Sequence, residues 1–496
     1  MFCFHNVVYL QHPPLKFSSV PRDIKRATSV TSMLRVPGGR PASTRTLNVV
    51  HSGELRSHFV EVDKDNNDCT SSKKALGDCY GGAARLSYQI IVNKPGISLF
   101  TGNIFGGHVW FRISGPNMVV DMLKTMAFDV MTLGILEFHN GPQGLIPLFS
   151  APELKTKIVL CNVDFSHDHV LSKLPNLPTR SIIMTVDNLK VGIVGYISSS
   201  VRVMGQPGRL TDVTAFVVKY SGRFAYPDTA TEKHGLDFDQ DLGYPEKVTR
   251  STDGKEVFIF ASTDHFQLVG KFQITVDTHD MRVISAVGMP VILDLQAPED
   301  KHTRDVLDKY TQHIQPLARK VIGTTKVYIE NSHEICDTRE CNGGNLLADA
   351  AFDYFSEVAV AGAWSQINAV VVNSGALSAS FDEKTKSGEI RLEDVFQMFP
   401  YNDHYMFVTM RGTTLQAMMD HSGRRTPPFT KFLQVSDVSD DVVMQQYLMK
   451  RSPIMPMLDG RISFESGAQA LGGPYWTRAA VPGLCTVAAI AVAAYT

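Results

Sequence analysis

From Leu47 to about Asp294, short runs rich in β-branched and aromatic residues keep alternating with polar or helical stretches. The runs are Leu47–His51, Ile97–Gly102, Val130–Gly134, Ser181–Val186, Lys190–Tyr196 and Glu256–Ala261. Segments of that length and composition are strands, and their alternation with helical stretches predicts a layered α/β domain. A chain of 496 residues is too long for one ordinary core, so a second domain is expected.

The pattern changes after residue 297. Within Pro298–Lys320, the apolar residues Val306, Tyr310, Ile314 and Leu317 recur close to helical spacing among charged neighbours, which predicts one exposed linking helix over 298–320. A second, smaller α/β domain follows over 321–465. It opens with an expected strand at Lys326–Glu330, continues with a helix through Asn345–Phe355, and has further strands at Ala369–Asn373 and His404–Met410, then a helix at Thr413–His421. The first domain spans 47–297.

Both ends read differently. Residues 1–46 are rich in Arg, Ser and Pro, carry one acid, Asp23, and lack the continuous apolar stretch of a secretory signal, so they form an irregular segment. At the other end, residues 466–496 hold Ser466-Gly467-Ala468, a short spacer and the apolar run Ala479–Tyr495. That layout matches a lipid-anchor signal, and membrane attachment would run through it; the other reading is a final buried helix or strand.

Four of the seven cysteines fall in two local pairs, Cys69 with Cys79 and Cys336 with Cys341. Two short disulfide loops in an oxidising compartment are one reading, and buried unpaired thiols the other; neither spacing is that of a zinc site. Disulfides point to an extracellular or cell-surface protein. The net charge of −2 leaves no basic stripe for a phosphate backbone, which excludes nucleic acid as the expected partner.

Four motifs are more specific. Asp78-Cys79-Tyr80-Gly81-Gly82-Ala83-Ala84-Arg85-Leu86 resembles a CxGGxARL turn and helix start, and Met131–Gly134 with Glu137-Phe138 and Asn140–Pro142 resembles MTLGNHEFDNGP. Val191–Tyr196 reads VGIVGY, and Arg339–Leu346 resembles RECNLGNL. Together, over roughly residues 47–435, they resemble the 5'-nucleotidase/apyrase family. The resemblance implies a calcineurin-like metallophosphoesterase β-sandwich with flanking helices, a linking helix, and a smaller α/β nucleoside-binding domain. It also implies a mechanism: two divalent metals, zinc or similar, acidify water and clamp the phosphoryl oxygens of an extracellular nucleotide such as AMP, ADP or ATP.

Carried across residue by residue, that site is substituted. Where the family has HTNDxHxR, the Asp ligand falls on Glu54 and the His ligand on Arg56, whose guanidinium cannot ligate a cation. The bridging Asp of GDxxxG falls on Asn103, which loses the negative charge. In GNHEFD, the Asn ligand falls on Ile135, the catalytic His on Leu136 and its orienting Asp on His139. The two histidine turns that follow VGIVGY in the family have no counterpart; His234 stands alone there, and the His167-Asp168-His169 triplet lacks a third ligand nearby.

The nucleoside pocket is thinned in the same way. Asn373 matches the Asn of NGGGIR, while Ser378 takes the place of its Arg, and Asp337 that of another family Arg. Tyr401 stands for the first stacking ring; the second has no clear match, with Tyr475-Trp476 a distant echo. Two readings of function follow. The first is a catalytically inactive relative that binds no metal tightly, binds nucleotide or nucleoside weakly or binds a protein partner; the alternative is an active 5'-nucleotidase or apyrase with an altered metal site.

Overall fold

The computed structural model describes residues 44–64, 68–197, 267–279, 283–288, 290–357, 369–401, 404–409 and 434–459, together with the short strands at 2–3, 246–249, 256–259 and 490–493 and a few single positions. The first half carries strands β1 (Thr44–Ser52), β2 (Ile97–Phe100), β3 (Val130–Met131), β4 (Lys157–Ile158), β5 (Ile182–Val186), β6 (Leu189–Val194), β7 (Leu268–Asp277) and β8 (Val283–Gly288). One sheet runs in the order β8-β7-β1-β2-β3-β4, with β1 to β4 parallel and β7 antiparallel to both its neighbours. A second sheet is built on the hairpin β5–β6, whose two-residue turn places Asp187 and Asn188 at φ 45° and 61°. Positive φ at both positions matches the right-handed twist of the strands it joins. Strand β1 starts at Thr44, ahead of the predicted run, because its added residues pair with Thr275–Asp277 of β7.

Period-two alternation sorts the side chains into two layers. Leu47 and Val49 of β1, Ile97 and Leu99 of β2, and Phe272 and Ile274 of β7 pack with Leu189, Val191 and Ile193 of the hairpin to fill the space between the sheets. Val50, Phe100 and Met131 point the other way, into a larger core with helices α1 (Ala83–Val92), α2 (Val109–Met126) and α3 (Lys301–Ala318). This is the expected β-sandwich with flanking helices. In α3 the buried positions are Thr303, Leu307, Ile314 and Ala318, with Val306 and Tyr310 half-buried against the core, whereas Leu317, placed on that face by spacing, is exposed. The buried stripe is rotated toward Leu307, because α3 packs on α1 and α2 rather than standing in solvent.

The second half has its own core, from Ile322 to Ile454. It contains β9 (Val321–Thr324), α4 (Asn342–Glu357), β10 (Ala369–Val371), β11 (Glu389–Arg391), α5 (Leu392–Met398), β12 (His404–Thr409), β13 (Gln434–Ser439), α6 (Asp440–Arg451) and β14 (Ile490–Ala493). The opening strand is β9, paired with β11, not Lys326–Glu330; that stretch makes the isolated Ile329–Phe381 bridge and a Lys326 N–H bond to Ile454 C=O at 3.1 Å, with no ladder. A four-stranded sheet runs β10-β14-β12-β13, so four residues of the apolar C-terminal run pair as a strand within it. The rest of that run lies outside the described residues, and no helix among those described is long and apolar enough to cross a membrane. Arg112 of α2 joins the halves: its guanidinium lies 2.7 Å from Asp441 of α6 and 5.0 Å from the ring centre of Phe396 in α5.

Candidate functional site

Three loops meet at the carboxyl ends of β1, β2 and β3, the edge where parallel sheets place their ligands. They are zipped by backbone bonds: Glu54 N–H donates to Gly102 C=O at 3.0 Å and Arg56 N–H to Asn103 C=O at 2.9 Å. Gly102 has φ 97°, and a Cβ there would sit 2.5 Å from the Gly134 nitrogen, so only glycine lets the third loop come this close. The fully buried Glu137 staples the second loop to the third. Its Oε1 accepts from the Ile104 and Phe105 amides at 2.6 and 3.1 Å, and its Oε2 from those of Asn103 and Gly134 at 3.0 and 2.5 Å. Burial pushes this carboxyl above its ordinary value, and the four amides counteract it.

The predicted residues Glu54, Arg56, Asn103 and Leu136 converge here. The Asn103 amide Nδ2 donates to Glu54 Oε1 at 2.5 Å, while Arg56 Nη2 lies 3.4 Å from Glu54 Oε2. Asn103 Oδ1 is taken by the Leu136 backbone N–H at 2.9 Å. Ile135 is buried and Leu136 packs against the core, so both fill space. His139 lies at the end of the short turn Leu136–Phe138, half-buried, with its backbone N–H bonded to Leu136 C=O at 3.2 Å.

A pair of divalent cations does not fit this donor set. Both oxygens of the one carboxylate, Glu54, already face donors, one of them a permanent cation, and the Asn103 oxygen is bonded to backbone. Ile135 and Leu136 offer no ligand atom. His234 lies outside the described residues, as do Tyr475 and Trp476. In the triplet at 167–169, Asp168 spends its carboxylate on the Val170 and Leu171 amides at 2.9 and 2.8 Å, and both histidines are exposed.

In the second half, Asn373 Oδ1 accepts from the Ala376 N–H at 2.8 Å and so caps the turn Ser374–Ala376. Ser378 N–H donates to Met398 C=O at 3.0 Å, which lays the Ser378 segment beside the end of α5, close in the chain to the half-buried Tyr401. Asp337 faces His333, 3.4 Å away. Both expected cysteine pairs are joined, Cys69 to Cys79 with Cα atoms 5.8 Å apart and Cys336 to Cys341 with 5.3 Å, within the range a disulfide spans.

A second cluster escaped the sequence reading. Asp68 Oδ1 lies 3.0 Å from His58 Nε2 and 3.2 Å from His108 Nε2, and the two imidazole rings are 4.0 Å apart. Burial, with the neighbouring His58 ring, pushes His108 down to about 4, against the opposing pull of Asp68. Burial alone would raise the Asp68 carboxyl, but hydrogen bonds from His108 and His58 outweigh it and hold the group well below the usual carboxylate range. The residues come from three separate loops, so no local spacing joins them; the sole signal was a histidine two positions beyond Arg56.

Known proteins resemble this chain in sequence and in fold. A family model described as 5'-nucleotidase, C-terminal domain, matches residues 321–455. A protein of Lutzomyia longipalpis is 25% identical over 453 residues, covering 81% of this chain and 78% of its own. Human 5'-nucleotidase is 26% identical over 437 residues, covering 79% of this chain and 74% of its own. In fold, the structure of a 5'-nucleotidase precursor from Thermus thermophilus matches with a TM-score of 0.58 at 18% identity, over 84% of this chain and 99% of the other. Motif order, the two-sheet sandwich with its helices, and these matches point the same way: the chain is similar to 5'-nucleotidases over about four fifths of its length, shares the fold of one, and carries a match to their C-terminal domain at residues 321–455.

Proposed function

We propose that this chain is a 5'-nucleotidase-family protein that has given up phosphohydrolysis and acts by binding a nucleotide, or a protein partner, on the retained scaffold. The observation that carries this reading is the Glu54 carboxylate, held between the Arg56 guanidinium and the Asn103 amide where a metal would need free negative oxygens. Hydrolysis of a phosphate ester at neutral pH draws several kcal/mol from metal-activated water and as much again from charge neutralisation at phosphorus, so losing both removes many orders of magnitude in rate. A nucleotide would stack its base on Tyr401, with Asn373 and Ser378 nearby and Arg56 meeting the phosphate as a planar cation. That binding is weak, because one ring replaces a pair and Arg56 is already half neutralised by Glu54. The two disulfides support an extracellular or cell-surface location.

The test is phosphate release from AMP, ADP and ATP by the purified chain with Zn, Mg, Mn or Ca. The expected result is no release above background. Robust, chelator-sensitive turnover would overturn this reading in favour of an active enzyme with an altered metal site.

A further inference from the structure

We propose that His58, Asp68 and His108 form a binding site for a single divalent transition-metal ion of the zinc class, with a donor set distinct from Glu54 and Asn103. Two imidazole nitrogens and one carboxylate oxygen all lie within 4.8 Å of one another. In a tetrahedral zinc site with bonds near 2.0 Å, neighbouring ligand atoms stand about 3.3 Å apart. The distances of 3.0 and 3.2 Å from Asp68 to the two histidines are close to that edge, so a cation enters with small side-chain shifts. Imidazole and carboxylate are the ligands this class of ion prefers, and His2Asp with an open position is a complete protein-supplied set.

The backbone fixes each ligand before any ion arrives. His58 N–H bonds to Leu55 C=O at 2.9 Å, and the neighbouring Ser57 hydroxyl donates to Ile104 C=O at 2.7 Å. His108 N–H is shared between Gly106 and Arg56 carbonyls at 3.0 and 3.3 Å. Asp68 is bridged to Val62 and adjoins Cys69, which is tied to Cys79 and to Glu61 C=O. Both histidine side chains are largely buried, whereas that of Asp68 is 42% exposed, which leaves one side open for water or an outside ligand. A metal on His108 Nε2 moves the ring proton to Nδ1, at the expense of a 3.5 Å contact from the Trp110 N–H, the long limit of a hydrogen bond.

The test uses the full chain, stripped with chelator and then titrated with Zn2+ by calorimetry and with Co2+ as an optical probe. One equivalent should bind, and Co2+ should show the visible bands of a low-coordinate nitrogen and oxygen environment. Because loss of an outer-shell partner alone costs about 10–100-fold in affinity, Asp68→Asn and His108→Gln should each weaken binding by about 100-fold or more. Glu54→Gln should leave the stoichiometry unchanged. Absence of binding by the wild type, or equal binding by Asp68→Asn, would overturn the proposal; so would loss in Glu54→Gln with retention in Asp68→Asn, which would return the ion to Glu54 and Asn103. If His108→Gln fails to fold, Asp68→Asn at a half-exposed position still decides. Chelator-sensitive phosphate release that survives Asp68→Asn would defeat the proposed loss of hydrolysis without touching this site.

Discussion

Replacing Glu137 by Gln changes one atom and should loosen the whole candidate site. The carboxylate accepts four buried amides, two on each oxygen, so an amide side chain must turn its NH2 toward one pair, Ile104 with Phe105 or Asn103 with Gly134. Two buried N–H donors then face a donor. Each unsatisfied buried group costs about 1–3 kcal/mol, giving about 2–6 kcal/mol in total. The lower end applies, because Gln no longer buries a charge, and it is burial of that charge that pushes the Glu137 carboxyl upward. For a domain of this size, about 2 kcal/mol lowers the melting temperature by about 4–8 °C. The chain has two cores, so a single transition cannot be assumed, and the assay must be local as well as global. Hydrogen exchange on peptides covering residues 102–106 and 133–138 should show these amides protected in the wild type and exposed early in Glu137→Gln. A variant that melts with the wild type and keeps those amides protected would refute the account of Glu137 as the staple of these loops.

Two further outcomes follow from the same geometry. His51 is buried beside Phe272, and burial pushes it down to about 4 from an ordinary 6.5. Its folded value is depressed, so the folded state binds fewer protons: its contribution is complete above pH 6.5 and lost as pH falls through about 4. The loss approaches 3 kcal/mol, and urea midpoints at pH 7 and 4.5 should lie further apart in the wild type than in His51→Gln. Arg112→Ala removes one partner of an ion pair whose side chains are under a tenth exposed, together with the Phe396 contact, at a cost of about 3–5 kcal/mol. Calorimetry should then resolve two unfolding transitions where the wild type shows stronger coupling between the halves; an unchanged thermogram would mean that Arg112 does not join them.

What could be read from the sequence was whatever is encoded by neighbours along the chain. Runs of β-branched and aromatic residues located β1, β2, β3, β5 and β6 of the first half but not β7, whose Phe272 and Ile274 complete the layer between the sheets. The second half was harder. Lys326–Glu330 alternates like a strand, yet β9 forms instead because its partner β11 lies far along the chain, and pairing partners leave no trace in local composition. Leu317 matched the helical spacing of α3 as well as Leu307 did, and only packing on α1 and α2 decides between them. At the site, motif letters brought Glu54, Arg56, Asn103 and Leu136 together. They could not show that Glu54 is held by both Arg56 and Asn103, nor find His58, Asp68 and His108, which three loops assemble. Glu137 was visible as a motif letter alone, because its partners are backbone amides that every residue carries.

The backbone of the site also explains how its chemistry could change while its shape stayed. Glu54, Arg56, Ser57 and Asn103 have φ of 55°, 48°, 58° and 57°, a region that side chains other than glycine rarely adopt and that costs about 1–3 kcal/mol each. Side chains at those positions do not impose such a conformation; the loop-to-loop bonds of Glu54 and Arg56 and the four amides on Glu137 do. A turn held from outside tolerates exchange of the groups it displays. Arg56 can therefore occupy a position from which a histidine would reach a metal, and Asn103 one that would present a carboxylate, with no rearrangement of the strands beneath. The positive charge of Arg56 then faces Glu54, and the neutral amide of Asn103 satisfies the other oxygen. Once that carboxylate is neutralised by two side-chain donors, neither Glu54 nor Asn103 favours a doubly charged cation over the arrangement already present.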